Sequence, residues 1–246
     1  MSQSLAAMHA GSPDLNVGEM PHAGFSSWDR TLGRVSCWVG LIVGTGWSVL
    51  AILTVLYNAN PATAQLPFAD PYRPAESILL VPLAALLIAC MAAVHAYAPP
   101  ELKRFSLLSL IFMSLAMGTT TLVNFSDFLI LTHPIQMAGA PWLGLFFPAQ
   151  RPGVVGSIDL LAWGWFFGLS MMAAAPVFRD GRLEKTARAF MLGSGLLPIA
   201  GWVLMIFVPS ASVPALILQA TGWGVLLLVV LYLLARLFDQ AQPVRR

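Results

Sequence analysis

The stretch 77–104 reads SILLVPLAALLIACMAAVHAYAPPELKR, and it decides the fold. Residues 77–98 contain no Asp, Glu, Lys or Arg. That is the roughly 20 apolar residues a helix needs to cross a hydrocarbon core. Two prolines, Pro99 and Pro100, then stop the run, and Lys103 and Arg104 follow at once. Backbone amides in lipid must pair within their own segment, so a continuous run of this kind is helical. A β-barrel would show short alternating segments instead.

Working outward, five more runs have the same character: 35–57, 105–131, 157–178, 187–208 and 213–235. Each is bounded by Pro, Gly or charge, and none carries Lys or Arg in its interior. Of the 246 residues, 58% are apolar and 10% charged, and the mean hydropathy is +0.77. A soluble domain of this size needs more charge than that to make a polar skin. The fold expected is all-α, a polytopic transmembrane bundle of six helices over residues 35–237. Residues 1–34 are expected to form a disordered cytoplasmic tail, which closes on an interfacial segment at Phe25, Trp28 and Leu32. Residues 238–246 make a short second tail.

Lys and Arg set the orientation. Eleven of the 13 fall before span one, between spans two and three, between four and five or at the very start of five (Arg188), and after span six. Only Arg73 and Arg151 fall on the other side. The positive-inside rule then places both termini in the cytoplasm and the segments 58–76, 132–156 and 209–212 outside. The segment 132–156 carries Trp142, Phe146 and Phe147 among Gly and Pro. It is expected to lie over the helices as a lid or in the headgroups, or to be an interfacial loop without a role. A net charge of +2 gives no reason to expect nucleic acid.

Small residues at spacing four, Gly40 with Gly44 and Gly164 with Gly168, allow close helix contact. Gly193, Gly195 and Gly201 in span five and Gly222 and Gly224 in span six extend the pattern. Pro198 is expected to kink span five. Cys37 and Cys90 lie within apolar runs and read as small buried hydrophobes, not as a disulfide framework.

Ionisable and polar groups within spans mark candidate sites, because their burial in lipid is costly. Thr120, Asn124 and Asp127 share one face of span three. Asp159 opens span four, where an N-cap role competes with a ligand role. Trp163 lies one turn below Asp159, and Gln219 falls at similar depth in span six. The candidate ligand-binding residues are therefore Asn124, Asp127, Asp159, Trp163 and Gln219. Asp127 is expected to find its partner in span four or six, with Asp159 and Gln219 foremost. No zinc, Walker, dinucleotide or nucleophile-elbow motif occurs, and His95 has no second histidine at its depth. No catalytic residue, metal ligand or cofactor is assigned.

Two stretches carry a family resemblance. One is His95, Tyr97 and Pro99 followed by Lys103 and Ser106, and the other is 174–178 followed by Gly181 and Glu184. Both resemble bacterial multi-pass inner-membrane proteins of unknown function. The resemblance implies an inner-membrane location and carries no site.

Three functional classes remain. The leading reading is a non-enzymatic protein that binds a small molecule or lipid in its outer half, as a sensor or accessory subunit. The alternative is a small transporter or channel. A membrane-embedded enzyme is third, since no acid, base and nucleophile set converges at one depth.

Overall fold

Each apolar run of the sequence becomes one helix. The protein is represented by a computed structural model that describes residues 25–59, 70–132 and 154–242. The tail before residue 25, residues 133–153 of the proposed lid segment 132–156, and the last four residues lie outside the described residues. Helix α1 is Ser27–Ala59 and α2 is Arg73–Tyr97. Helix α3, with its leading 3₁₀ turn, is Pro100–Thr132. Helix α4 is Val154–Val177, α5 is Gly181–Phe207 and α6 is Ser212–Gln240. All six are long and apolar enough to cross a membrane, and no strand occurs among the described residues.

The helices pack in chain order, α1 on α2 through to α5 on α6, and α6 returns to α1. This closes a ring. The outer surface is apolar: Ile42, Leu122 and Phe207 are 71%, 73% and 76% exposed. In water such a surface would drive association. Against lipid tails it loses nothing, because the tails are as apolar as the side chains. The centre holds Leu83, Leu87, Met113, Met117, Phe167 and Leu234, all fully buried.

One end of the ring is tied by aromatic rings and helix caps. Tyr97 at the end of α2 sits edge-on to Phe25 at 5.5 Å and to Phe238 of α6 at 6.1 Å, and stacks on Phe178 at 6.1 Å. The Tyr97 hydroxyl donates to Glu184 Oε1 at 2.5 Å. Glu184 Oε2 accepts the backbone N–H groups of Arg179 and Asp180 and so closes the turn into α5. The Glu184 carboxylate therefore points back to the turn that precedes its own helix. Lys103 Nζ donates to the His95 and Ala96 carbonyls at the end of α2. Arg30 does the same for Phe238 and Asp239 at the end of α6. Cationic side chains here answer the free carbonyls of helix C-termini. The segment 25–34 is thus helical from Ser27, continuous with span one, and anchored into the bundle through the buried Phe25.

Two helices carry π-helical turns, Ala162–Phe166 in α4 and Thr221–Leu226 in α6. Such turns add a residue to the helical circuit, shift the faces that follow and recur at functional sites. Pro198 lies inside α5 without ending it, and Gly222 of the α6 π turn leaves the space its ring occupies. Ser194 Oγ donates to the Gly222 carbonyl at 2.8 Å.

Candidate functional site

At the end of the bundle opposite the Tyr97 cluster, α1, α2, α3, α4 and α6 surround a cavity of about 560 Å³. Helix α5 contributes nothing to its lining. The volume lies in the range of small-molecule pockets, roughly 300–1,000 Å³.

The start of α2 builds one wall. Asp70 Oδ1 accepts the N–H groups of Tyr72 and Arg73, and its Oδ2 accepts Asn58 Nδ2 of α1 at 2.9 Å. An acidic cap suits a helix N-terminus, where backbone donors are free. This fixes Arg73 at the first turn of α2, aimed inward. Arg73 Nε donates to Asp127 Oδ2 at 2.8 Å, and its Nη1 lies 3.5 Å from Glu76 Oε2. Ser77 Oγ also donates to Asp127 Oδ2, at 2.9 Å. Asp127 is 3% exposed, so the guanidinium is its counter-charge in a place with little water.

Span two therefore holds the partners of Asp127. The sequence reading sought them in spans four and six and left Arg73 in an outer loop. The reason is geometric. Arg73 opens a helix packed against α3, and its long side chain reaches back across that contact.

Thr120 organises the second wall. Its hydroxyl donates to Asp159 Oδ1 at 2.5 Å and accepts from Trp163 Nε1 at 2.8 Å and Asn124 Nδ2 at 3.2 Å. One donor and two acceptor positions exhaust a hydroxyl. The three partners are held in fixed directions as a result. Asn124 Nδ2 also donates to the Thr120 carbonyl. Among the described residues no donor reaches the second oxygen of Asp159.

Three tryptophans form the floor. Trp47 of α1 stacks on Trp163 of α4 at 5.8 Å, and Trp223 of α6 lies 5.3 Å from Trp47 and 5.6 Å from Trp163. Trp163 and Trp223 both belong to the π turns. Trp47 is 6% exposed, and its Nε1–H has no acceptor among the described residues.

Of the five sequence candidates, Asn124, Asp127, Asp159 and Trp163 line this cavity. Gln219 does not. It is fully buried beneath Gly201 of α5, and both amide atoms lack partners among the described residues. Sequence reasoning missed Arg73, Glu76, Asp70, Trp47 and Trp223. Two signals were present. Arg73 is one of only two basic residues on its side of the chain, and Trp47 and Trp223 each abut a glycine, as Trp163 does.

Comparison with protein-family models, with curated proteins and with solved structures finds no match to this chain.

Proposed function

We propose that this multi-pass protein resides in the bacterial inner membrane and holds a small-molecule or lipid ligand in its outer-half cavity, acting as a sensor or accessory subunit. Both termini are then cytoplasmic, in keeping with the distribution of Lys and Arg. The observation that carries the reading is the cavity itself: polar walls held by hydrogen bonds, above a floor of packed indoles. Concave, mostly apolar sites with a few placed polar groups are the usual form of a ligand site.

Transport is the weaker reading. A transporter needs a polar route through the other half of the bundle. There, His95 pairs with Ser106 at 2.8 Å and Ser109 with Ser170 at 3.2 Å. These groups satisfy each other across helix contacts, and the core between them and the cavity is Leu, Met and Phe.

A thiol-accessibility experiment separates the two. Ala51 and Ala220 line the cavity. In a Cys37→Ala, Cys90→Ala background, Ala51→Cys and Ala220→Cys should react with a membrane-impermeant cationic methanethiosulfonate added outside. They should stay inert in inside-out vesicles. Leu122→Cys, facing lipid, should be slow from both sides, because the thiolate is the reactive form. Labelling from both sides would favour a transporter, and no labelling from either would remove the ligand site. Orientation is checked independently: a reporter fused after Arg246 should be active only in the cytoplasm, and one inserted near Gln65 only outside. The reverse pattern would overturn the termini-in topology.

A further inference from the structure

The chemistry of the cavity selects among ligands. Among the described residues four carboxyl groups line it, those of Asp70, Glu76, Asp127 and Asp159, against the single guanidinium of Arg73. Arg73 is committed to Asp127 at 2.8 Å, and Asp70 to the cap of α2. Glu76 sits 3.5 Å from the same guanidinium, and Asp159 has only the Thr120 hydroxyl among the described residues. The ionised site therefore carries surplus negative charge in a place of low dielectric, where charge acts strongly.

Below these carboxylates lie the three indoles of Trp47, Trp163 and Trp223, mutually within 6 Å. The faces of tryptophan attract cations more strongly than other side chains do, most of all where water is excluded. The Trp47 Nε1–H is an independent mark of a ligand site, though not of the ligand's charge, since an ammonium group offers no acceptor. It is a buried donor in the lining with no acceptor among the described residues. Buried polar groups in folded proteins nearly always have a partner, so this one awaits an acceptor atom or a water. Among the described residues no three His, Cys, Asp or Glu side chains come close enough to chelate a metal ion. A volume of about 560 Å³ also exceeds what a bare ion needs.

Resting on the ligand-site reading above, we propose that the cavity binds an organic cation, a protonated amine or quaternary ammonium with an apolar body. The ammonium lies between the carboxylates of Glu76 and Asp159 and the indole floor. The same headgroup chemistry is present in a free amine and in a choline lipid.

The test uses the full chain purified in dodecyl maltoside, without choline lipids. Benzyltrimethylammonium is titrated against tryptophan emission, beside its neutral carbon isostere neopentylbenzene and the anion benzenesulfonate. The cation should quench saturably and bind at least about tenfold more tightly than the isostere, in keeping with a desolvated cation–π contact beside a carboxylate. Glu76→Gln and Asp159→Asn, each close to isosteric, should each weaken the cation and leave neopentylbenzene unchanged. Equal binding of the isostere, or tighter binding of the anion, would overturn the cation assignment while the cavity remained a ligand site. No binding of the cation, with Ala51→Cys still labelled from outside, would also overturn the cation assignment alone. Repeating the titration in phosphatidylcholine nanodiscs assigns the source. Competition by the lipid supports a headgroup ligand, and its absence supports a free amine.

Discussion

Asp127→Ala is expected to destabilise the protein by about 3–5 kcal/mol, the loss typical when one partner of a buried ion pair is removed. The carboxylate receives Arg73 Nε at 2.8 Å and Ser77 Oγ at 2.9 Å. Without it the guanidinium keeps, among the described residues, only Glu76 as an ion-pair partner, at 3.5 Å. A charged group left without its counter-ion at membrane depth costs more than the pair contributed. Asp127→Asn keeps the size and one acceptor for Ser77 but removes the charge, so it should fall between Ala and wild type. Arg73→Met combined with Asp127→Leu should recover most of the loss, because well-packed apolar replacements for a buried pair are often neutral. Unfolding in a graded anionic detergent series, run as a double-mutant cycle, measures the coupling. If Asp127→Ala lies within about 0.5 kcal/mol of wild type, the range of ordinary surface changes, the pair is not structural.

The difference between what the sequence showed and what it hid follows from range. The spans were legible because hydrophobicity over about 20 residues is a property of the chain alone. Thr120, Asn124 and Asp127 were legible as a group because helical spacing puts them on one face, and all three are buried. Arg73 was not. Its role depends on α2 lying beside α3, a contact between residues 54 positions apart. The tryptophan floor depends on three helices and on two π turns. A π turn has no propensity signature comparable to an apolar run, so the placement of Trp163 and Trp223 within such turns was hidden. Gln219 shows the converse. Its depth was readable and its facing was not, and a π turn begins two residues after it, at Thr221.

Gly201→Ala is expected to cost about 3 kcal/mol, the upper end for forcing one carbon into a packed core, because backbone stands in the way. A Cβ at this position would lie 2.4 Å from the Ala215 carbonyl oxygen and 2.7 Å from Gln219 Cγ. A flexible side chain could turn aside, but a helix carbonyl cannot move without its helix. Spans five and six would have to separate, and the contact between Pro198 and Gly222 one turn away would open with them. Gly222 confirms how tight this seam is, since a Cβ there would come within 2.4 Å of the Pro198 ring. Gly224, two residues on, has nothing within 4 Å of the same ideal position. Gly224→Ala should therefore be neutral or slightly stabilising, as expected where only helix propensity changes. The contrast removes composition and hydrophobicity as explanations, since both variants add one methyl to a glycine of the same two-helix region. Thermal unfolding of both, read beside benzyltrimethylammonium binding, locates the effect. Loss of stability at Gly201 alone supports the seam, whereas equal midpoints for the two variants would show that spans five and six do not meet there.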